Sequence, residues 1–465
     1  MSEMPLNPIS QRRSHQHVST PAADPVRRLE RWLVLIAAAL AIWGLMPRVE
    51  AAERAFPGAV GWAAETPGGR GGQVLRVTTL ATDGPGSFKE ALNTKGPRII
   101  VFEVAGVIDL RLAEWAITEP FLTIAGQTAP PPGITLIKGG LTIATHDVVI
   151  RHLHIRPGEG GLKKHAGVDF DAITTVAGAK DVIIDHNSLT WASDENLSAS
   201  GARFIGDGPD AWREFVSHRI TFSHNLLAEG LAHSIHAKGE HSKGSLIHDN
   251  VTDIVIIGNL YAHNYERSPL FKGGTRGQVI NNLIYDPGQR AIHYNLIAEE
   301  WYGHEYLTGQ ISVRGNVLRA GPSTEPLALF MFGGSGDLEL FLDDNLAFDR
   351  IGRDLPQLGR YNAGRAKLID LKVAPKLPPG VRVMSAREVE DWVVAEAGAR
   401  PWDRDDIDRR IVANVMEGRG HIIDDEAAVG GYPVIAEVRA PFVPEDWDLG
   451  TMEPKKPLPR RPPPK

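Results

Sequence analysis

From about residue 55 to 350 the chain alternates short β-branched apolar runs with turn residues. The runs are RIIVFEV (98–104), DVVIRHLHI (147–155), DVIIDHNSL (181–189), RITFSHNLL (219–227), DIVIIGNLY (253–261), QVINNLIY (278–285), ISVRGNVL (311–318) and LELFLDDNLAF (338–348). Each is bounded by Gly, Pro, Asn or Asp, which predicts strands. No amphipathic helical pattern separates them, so a βαβ sheet is disfavoured. Aligned on apolar-x-x-Asn-apolar, the runs bring Asn187, Asn225, Asn259, Asn282, Asn316 and Asn345 into register at intervals of 38, 34, 23, 34 and 29 residues. Self-similarity at such a loose period marks stacked coils. With strands as the units, this predicts an all-β parallel β-helix, the asparagines forming a hydrogen-bonded ladder at one bend and loops of varied length leaving fixed corners. A β-sandwich is the competing all-β arrangement.

After about residue 365 the pattern changes. Ser385 and Glu388 form a capping box before Val389, Trp392 and Val393, with Gly398 closing that helix. Asp403 or Asp405 caps a second helix carrying Ile407, Ile411 and Val415 and stopping near Gly418. The expected organisation is a coil over 52–364, a small C-terminal helical extension packed on it over 365–450, and a Pro-rich basic tail over 451–465 that is disordered. At the other end, basic residues precede the apolar run WLVLIAAALAIWGLM (32–46), and Val49 and Ala51 follow. This predicts a signal peptide with a long n-region over 1–51, cleaved after Ala51. The run is shorter than the roughly 20 apolar residues of a spanning helix, which makes an uncleaved anchor the secondary alternative. The expected location is secreted or periplasmic, with no membrane attachment after cleavage.

Composition narrows the chemistry. The chain has no cysteine, which excludes disulfide scaffolds, Cys-ligated zinc, thiol catalysis and iron–sulfur sites. Its 50 basic and 57 acidic residues give a formal charge of −7, so no nucleic-acid partner is expected. The 48 Gly and 33 Pro agree with many turns and short elements.

The densest polar cluster lies at 165–198 and continues at 233–276. Asp169 and Asp171 form an Asp-x-Asp pair, which in a strand would face one way. Asp194 and Glu195 follow one coil later. Carboxylates converging from successive turns suit a hard cation, Ca²⁺ ahead of Mg²⁺; read singly, each is an ordinary turn or cap carboxylate. His233, His236 and His241 are a loose alternative for zinc. His186, His224 and His263 precede Asn in the repeat and are better explained by the ladder. Gly68, Gly69, Gly71 and Gly72 have no following helix to make a phosphate site. Lys243 and Arg267, with Lys272 five residues on, would be solvated surface cations in isolation. On consecutive repeat units beside the acidic cluster they outline a groove for a polyanionic sugar.

At these residues the chain resembles the pectate lyases of polysaccharide lyase family 1. The resemblance covers most of 55–350: AFPGAVGWAAETPGGRGG, GPRIIVFEVAG, TIAGQTAP, DVIIDHNSLTWASDEN and HN…R-S-P-x-x-K. The Gly-rich opening, the WASDEN stretch and the tail segment GARPWDRD…VGGYP resemble a secreted bacterial subgroup. The resemblance implies a right-handed parallel β-helix that acts as a monomer on an acidic polysaccharide, polygalacturonate, by Ca²⁺-assisted β-elimination. It implies Arg267 as the catalytic base, Lys243 and Lys272 as substrate-binding cations, and Asp169, Asp171 and Asp194 as Ca²⁺ ligands. Lys272 stands where the family has an Arg, so the bidentate fork is lost. Ser198 stands at the fourth ligand position, so the implied Ca²⁺ site is either weaker or completed by Glu195. A base role for Arg267 further implies a lowered pKa and an alkaline optimum. Cleavage of another acidic glycan, hydrolysis by two carboxylates, and a non-catalytic glycan-binding coil remain alternatives.

Overall fold

The computed structural model describes residues 53–241 and 243–460; the expected signal peptide and the last residues of the Pro-rich tail lie outside the described residues. The apolar runs become strands buried on both faces, which explains their near-continuous hydrophobicity. Val182, Ile184, Ile220, Phe222, Ile254 and Ile256 point into one long core inside the coil. Val149 and Ile183 pack outward under Ala55, Phe56, Ala59 and Ala63. Successive turns stack in register, Ile184 on Phe222 and Phe222 on Ile256.

The result is a right-handed parallel β-helix of three sheets. An eleven-stranded sheet runs from Gln73–Val77 to Leu368–Asp370, and a nine-stranded sheet from Trp115–Ile117 to Leu358–Arg360. A ten-stranded sheet runs from Val104–Asp109 to Leu346–Phe348, with Val438–Arg439 added antiparallel at its edge. The short helix Phe88–Asn93 turns Phe88, Ala91 and Leu92 onto the start of the core.

The asparagine ladder forms as the sequence predicts. The backbone N–H of Asn187 donates to Oδ1 of Asn225 at 2.9 Å, and the same bond links Asn225 to Asn259, Asn259 to Asn282, Asn282 to Asn316 and Asn316 to Asn345. The residue before each Asn adopts left-handed backbone: φ is 51° at His186, 52° at His224 and 68° at Gly258. That corner is sterically unfavourable for residues with a Cβ, and the ladder bonds hold it. His152, His186 and His224 stack outside it, with ring centroids 5.2 and 4.6 Å apart. His263 does not join this column. It lies at another corner, bonded to Asp286 at 2.7 Å, because it follows its strand Leu260–Ala262 whereas His186 and His224 follow strands of the eleven-stranded sheet.

Helices Ala386–Glu396 and Asp406–Glu417 cover the ten-stranded sheet, with Val389, Val393, Ile411 and Val415 packed against Leu226, Leu260 and Leu283. The expected Ser385 cap bond is absent; Asp344 of the coil caps instead, accepting from the Ala386 N–H at 3.1 Å. Asp405 caps the second helix through the Asp408 N–H at 2.9 Å. Arg156, fully buried, pins this helix by bonds of 2.7 and 3.2 Å to Asp405 and 3.0 Å to Asp408. The tail expected to be disordered is laid down as far as residue 460. Glu453–Pro454 pairs with Trp447–Asp448, and the Met452 carbonyl accepts from Gln127 at 3.0 Å. The Gly-rich opening is a close backbone approach: a Cβ on Gly69 would lie 1.9 Å from the Arg98 carbonyl oxygen.

Removing a central ladder amide orphans the one buried backbone N–H that its Oδ1 accepts and a carbonyl that its Nδ2 bonds, for Asn259 the Asn225 N–H and the Phe222 carbonyl, at about 1–3 kcal/mol for each orphan. Asn259→Ala should therefore lower unfolding free energy by about 3 kcal/mol in denaturant melts, and the half-buried terminal rung, Asn345→Ala, by about 1 kcal/mol.

Candidate active site

Strand alternation on the nine-stranded sheet puts Phe271 in the core and turns Leu270 and Lys272 outward into a cleft of about 360 Å³. Just before these strands Glu195, Lys243 and Glu266 pair in parallel register on successive turns. The Ala172 N–H donates to the Glu195 carbonyl at 3.1 Å, bringing Asp171 alongside the same column. Adjacent members are thus about 4.8 Å apart along the coil, close enough for their charges to interact strongly.

At one end of the column Asp171, Asp194 and Glu195 offer oxygens within 4.8 Å of one another. Asp171 accepts from the Glu195 N–H at 2.8 Å and from Ser198 Oγ at 2.7 Å, so Ser198 orients a carboxylate where the resemblance implied a ligand. Burial, then the charges of Glu195 and Asp194, push Asp171 well above the ordinary carboxylate range. Burial and Asp194 push Glu195 up to about 7. Asp169 does not join the trio: it is exposed, because 168–171 is irregular chain in which strand alternation does not apply. Glu114 is the carboxylate that sequence reasoning missed; it accepts from the Asp171 N–H at 3.2 Å. Desolvation and the neighbouring Asp169 and Asp194 raise it.

The three histidines considered for zinc are divided. His233 faces Asp424 at 3.0 Å. His236 and His241 stack with centroids 3.9 Å apart and planes 10° from parallel, and with Asp194 they bring ligand atoms within 4.8 Å of one another. His241 Nε2 lies 2.6 Å from Asp194 Oδ1. Burial, then Arg267 and Lys243, push His241 down to about 3.

Beyond the acidic end come the cations. Arg267, with φ of 63°, pairs with Glu195. Lys243 Nζ donates to Glu266 Oε1 at 2.5 Å, and Arg290 pairs with the other oxygen of Glu266. Lys272 pairs with Glu300 and lies 3.5 Å from Asp249. The expected lowering of Arg267 is not found. Burial opposes its charge, but Glu195, Glu266 and Asp194 outweigh burial and raise its pKa. Lys243 is lowered, by burial first. Burial would raise Glu266, yet Lys243, His293, Arg290 and Arg267 hold it well below the ordinary range. Glu266, Arg290, Arg203, Asp249 and Glu300 were not singled out from sequence. Glu266 could have been, as the immediate neighbour of Arg267 in HNYERSP.

On the parallel β-helix an acidic trio thus stands beside a row of cations along one cleft. No family model matches the chain. It is 32% identical to "Probable pectate lyase C" of Neosartorya fischeri over 81% of this chain and 81% of that protein, and 32% identical to the Aspergillus flavus protein of the same name, with the same coverage. The fold is similar to that of jun a 1, the major cedar pollen allergen, with TM-score 0.51 and 17% identity over 73% of this chain and 92% of that one. It is also similar to a pectate lyase bound to a hexasaccharide, with TM-score 0.50 and 14% identity over 76% of this chain and 100% of that one. The chain belongs to the pectate lyase family and is a polysaccharide lyase.

Glu266→Gln would leave Lys243 and Arg290 buried without their carboxylate, a loss of about 3–5 kcal/mol at pH 7. A depressed carboxylate contributes stability that is present above its unfolded pKa of about 4.3 and disappears as pH falls through its folded value. The wild-type advantage over Glu266→Gln in denaturant melts should accordingly shrink below about pH 4.

Proposed function

We propose that the protein cleaves 4-linked polygalacturonate by Ca²⁺-assisted β-elimination, leaving 4,5-unsaturated oligogalacturonides. The observation that carries this reading is the convergence of Asp171, Asp194 and Glu195 beside Arg267 and Lys243 on one face of the coil. Relatives named as pectate lyases support the substrate class.

The acidic trio fits a hard cation by its chemistry. Three carboxylates packed together, two of them pushed upward by burial and mutual repulsion, are what a divalent ion with oxygen ligands relieves. Asp171, Asp194 and Glu195 would hold it, and bound there it would neutralise a uronate carboxylate and so acidify the adjacent C5 proton. The protein's own residues do the rest. Lys243 adds positive charge where the enolate-like transition state gathers negative charge. Lys272 extends the cationic row along the cleft. Arg267 is held charged by its pair with Glu195, so that pair must open and the guanidinium must give a proton to solvent before it can act. The neutral Arg267 then takes the C5 proton, the electron pair left at C5 forms the C4–C5 double bond as the C4–O bond breaks, and the leaving oxygen takes a proton from water. Within the same reading the protein is exported and acts as a monomer; among the described residues no helix is long and apolar enough to cross a membrane.

Polygalacturonate incubated with the protein and Ca²⁺ should gain the ultraviolet absorbance of unsaturated uronide, and chelator should prevent it. Arg267→Ala should lower the rate at least about 100-fold, the scale of a lost general base. New reducing ends without that absorbance would indicate hydrolysis and overturn the reading. Near-normal activity in Arg267→Lys would remove Arg267 from the base role.

A further inference from the structure

The cleft holds two cationic stations that differ in charge balance. At the first, Lys243 and Arg290 share a single carboxylate, Glu266. Two cations on one anion leave positive charge for a substrate carboxylate. At the second, Lys272 and Arg203 meet two carboxylates. Asp249, fully buried, lies 2.8 Å from Arg203 Nε and 3.5 Å from Lys272 Nζ, and its other oxygen accepts from Trp301 Nε1 at 2.7 Å. Glu300 pairs with Lys272 and lies 2.9 Å from Arg203 Nη2. His248, 3.2 Å from the same Arg203 nitrogen, adds no third cation, since burial pushes it down to about 4.

The two carboxylates differ in kind. Asp249 belongs to the buried frame. Glu300 has a side chain 31% exposed and reaches the cations from the cleft wall, where an incoming carboxylate would approach. It is no loose loop tip. Glu300 lies in the single helical turn Ala298–Trp301, anchored by fully buried Trp301, whose ring meets Phe204 at 5.0 Å.

We propose that Glu300 fills the anion position at Lys272 and Arg203, so that this subsite takes an uncharged, methyl-esterified galacturonosyl unit while a free carboxylate goes to Lys243 and Arg290. The proposal rests on the lyase reading above and names its substrate more narrowly. A free carboxylate at the second station would be a third anion among two cations, a repulsive element of the kind that sets specificity. An ester carbonyl still accepts a hydrogen bond from Lys272 without adding charge.

The test is kcat/KM, read by unsaturated product, on polygalacturonate and on highly methyl-esterified pectin for the wild type, Glu300→Gln and Glu300→Ala. Removing the charge should raise the polygalacturonate-to-pectin ratio about tenfold in both variants, mainly through KM for polygalacturonate; tenfold corresponds to about 1.4 kcal/mol. A ratio within twofold of wild type in both variants overturns the assignment of Glu300 while leaving the lyase reading intact. A shift in Glu300→Ala alone overturns it too, since bulk rather than charge would then be responsible. Absence of unsaturated product from either polymer with the wild type overturns both.

Discussion

Parallel register is the constraint on which the rest of the molecule depends. Each turn of the coil lies about 4.8 Å from the next, so residues tens of positions apart become nearest neighbours. The asparagine ladder fixes that register at one corner, where every amide satisfies the backbone of an adjacent turn. A slip by one residue would turn core side chains outward along a whole strand. With both faces of the eleven-stranded sheet buried, that slip is strongly disfavoured.

The same register makes the cleft. Glu195, Lys243 and Glu266 are neighbours only because their turns are stacked. Carboxylates and cations then face one another at hydrogen-bond distance, most of them shielded from solvent. Burial first, then mutual repulsion, raises Asp171 and Glu195, while at Glu266 a surplus of cations outweighs burial and lowers it. Neighbouring carboxylates of one column thus have opposite electrostatic character. The column is acidic at one end and basic at the other.

Much of this could be read from sequence, for a specific reason. The ladder asparagines sit at fixed offsets from each strand, so the spacing revealed both the coil and its corner. Asp194, Glu195 and Arg267 lie in runs that carry the resemblance, and Asp171 was marked by its Asp-x-Asp pair. What stayed hidden depended on which side chains meet across turns. Arg290 and Glu266 are 24 residues apart, and Arg203 and Asp249 46 apart, with loops of different length between them. No periodicity announces such pairs. Asp169 lies apart from the trio because alternation does not apply in irregular chain. A lowered Arg267 was expected from its role as a base; in the structure burial does oppose its charge, but Glu195 first and then Glu266, the carboxylate next in sequence, outweigh it.

If stacked register has built a cation site from residues on separate turns, Ca²⁺ should bind to the protein without any polysaccharide. Calorimetric titration of Ca²⁺ into the wild type and into Asp171→Asn, which keeps the acceptor geometry but removes one charge, tests this most directly. The account predicts saturable single-site binding in the wild type and at least about tenfold weaker binding in the variant, or a shift of 1.4 kcal/mol. Equal binding by the two proteins, or none by the folded wild type, would contradict it.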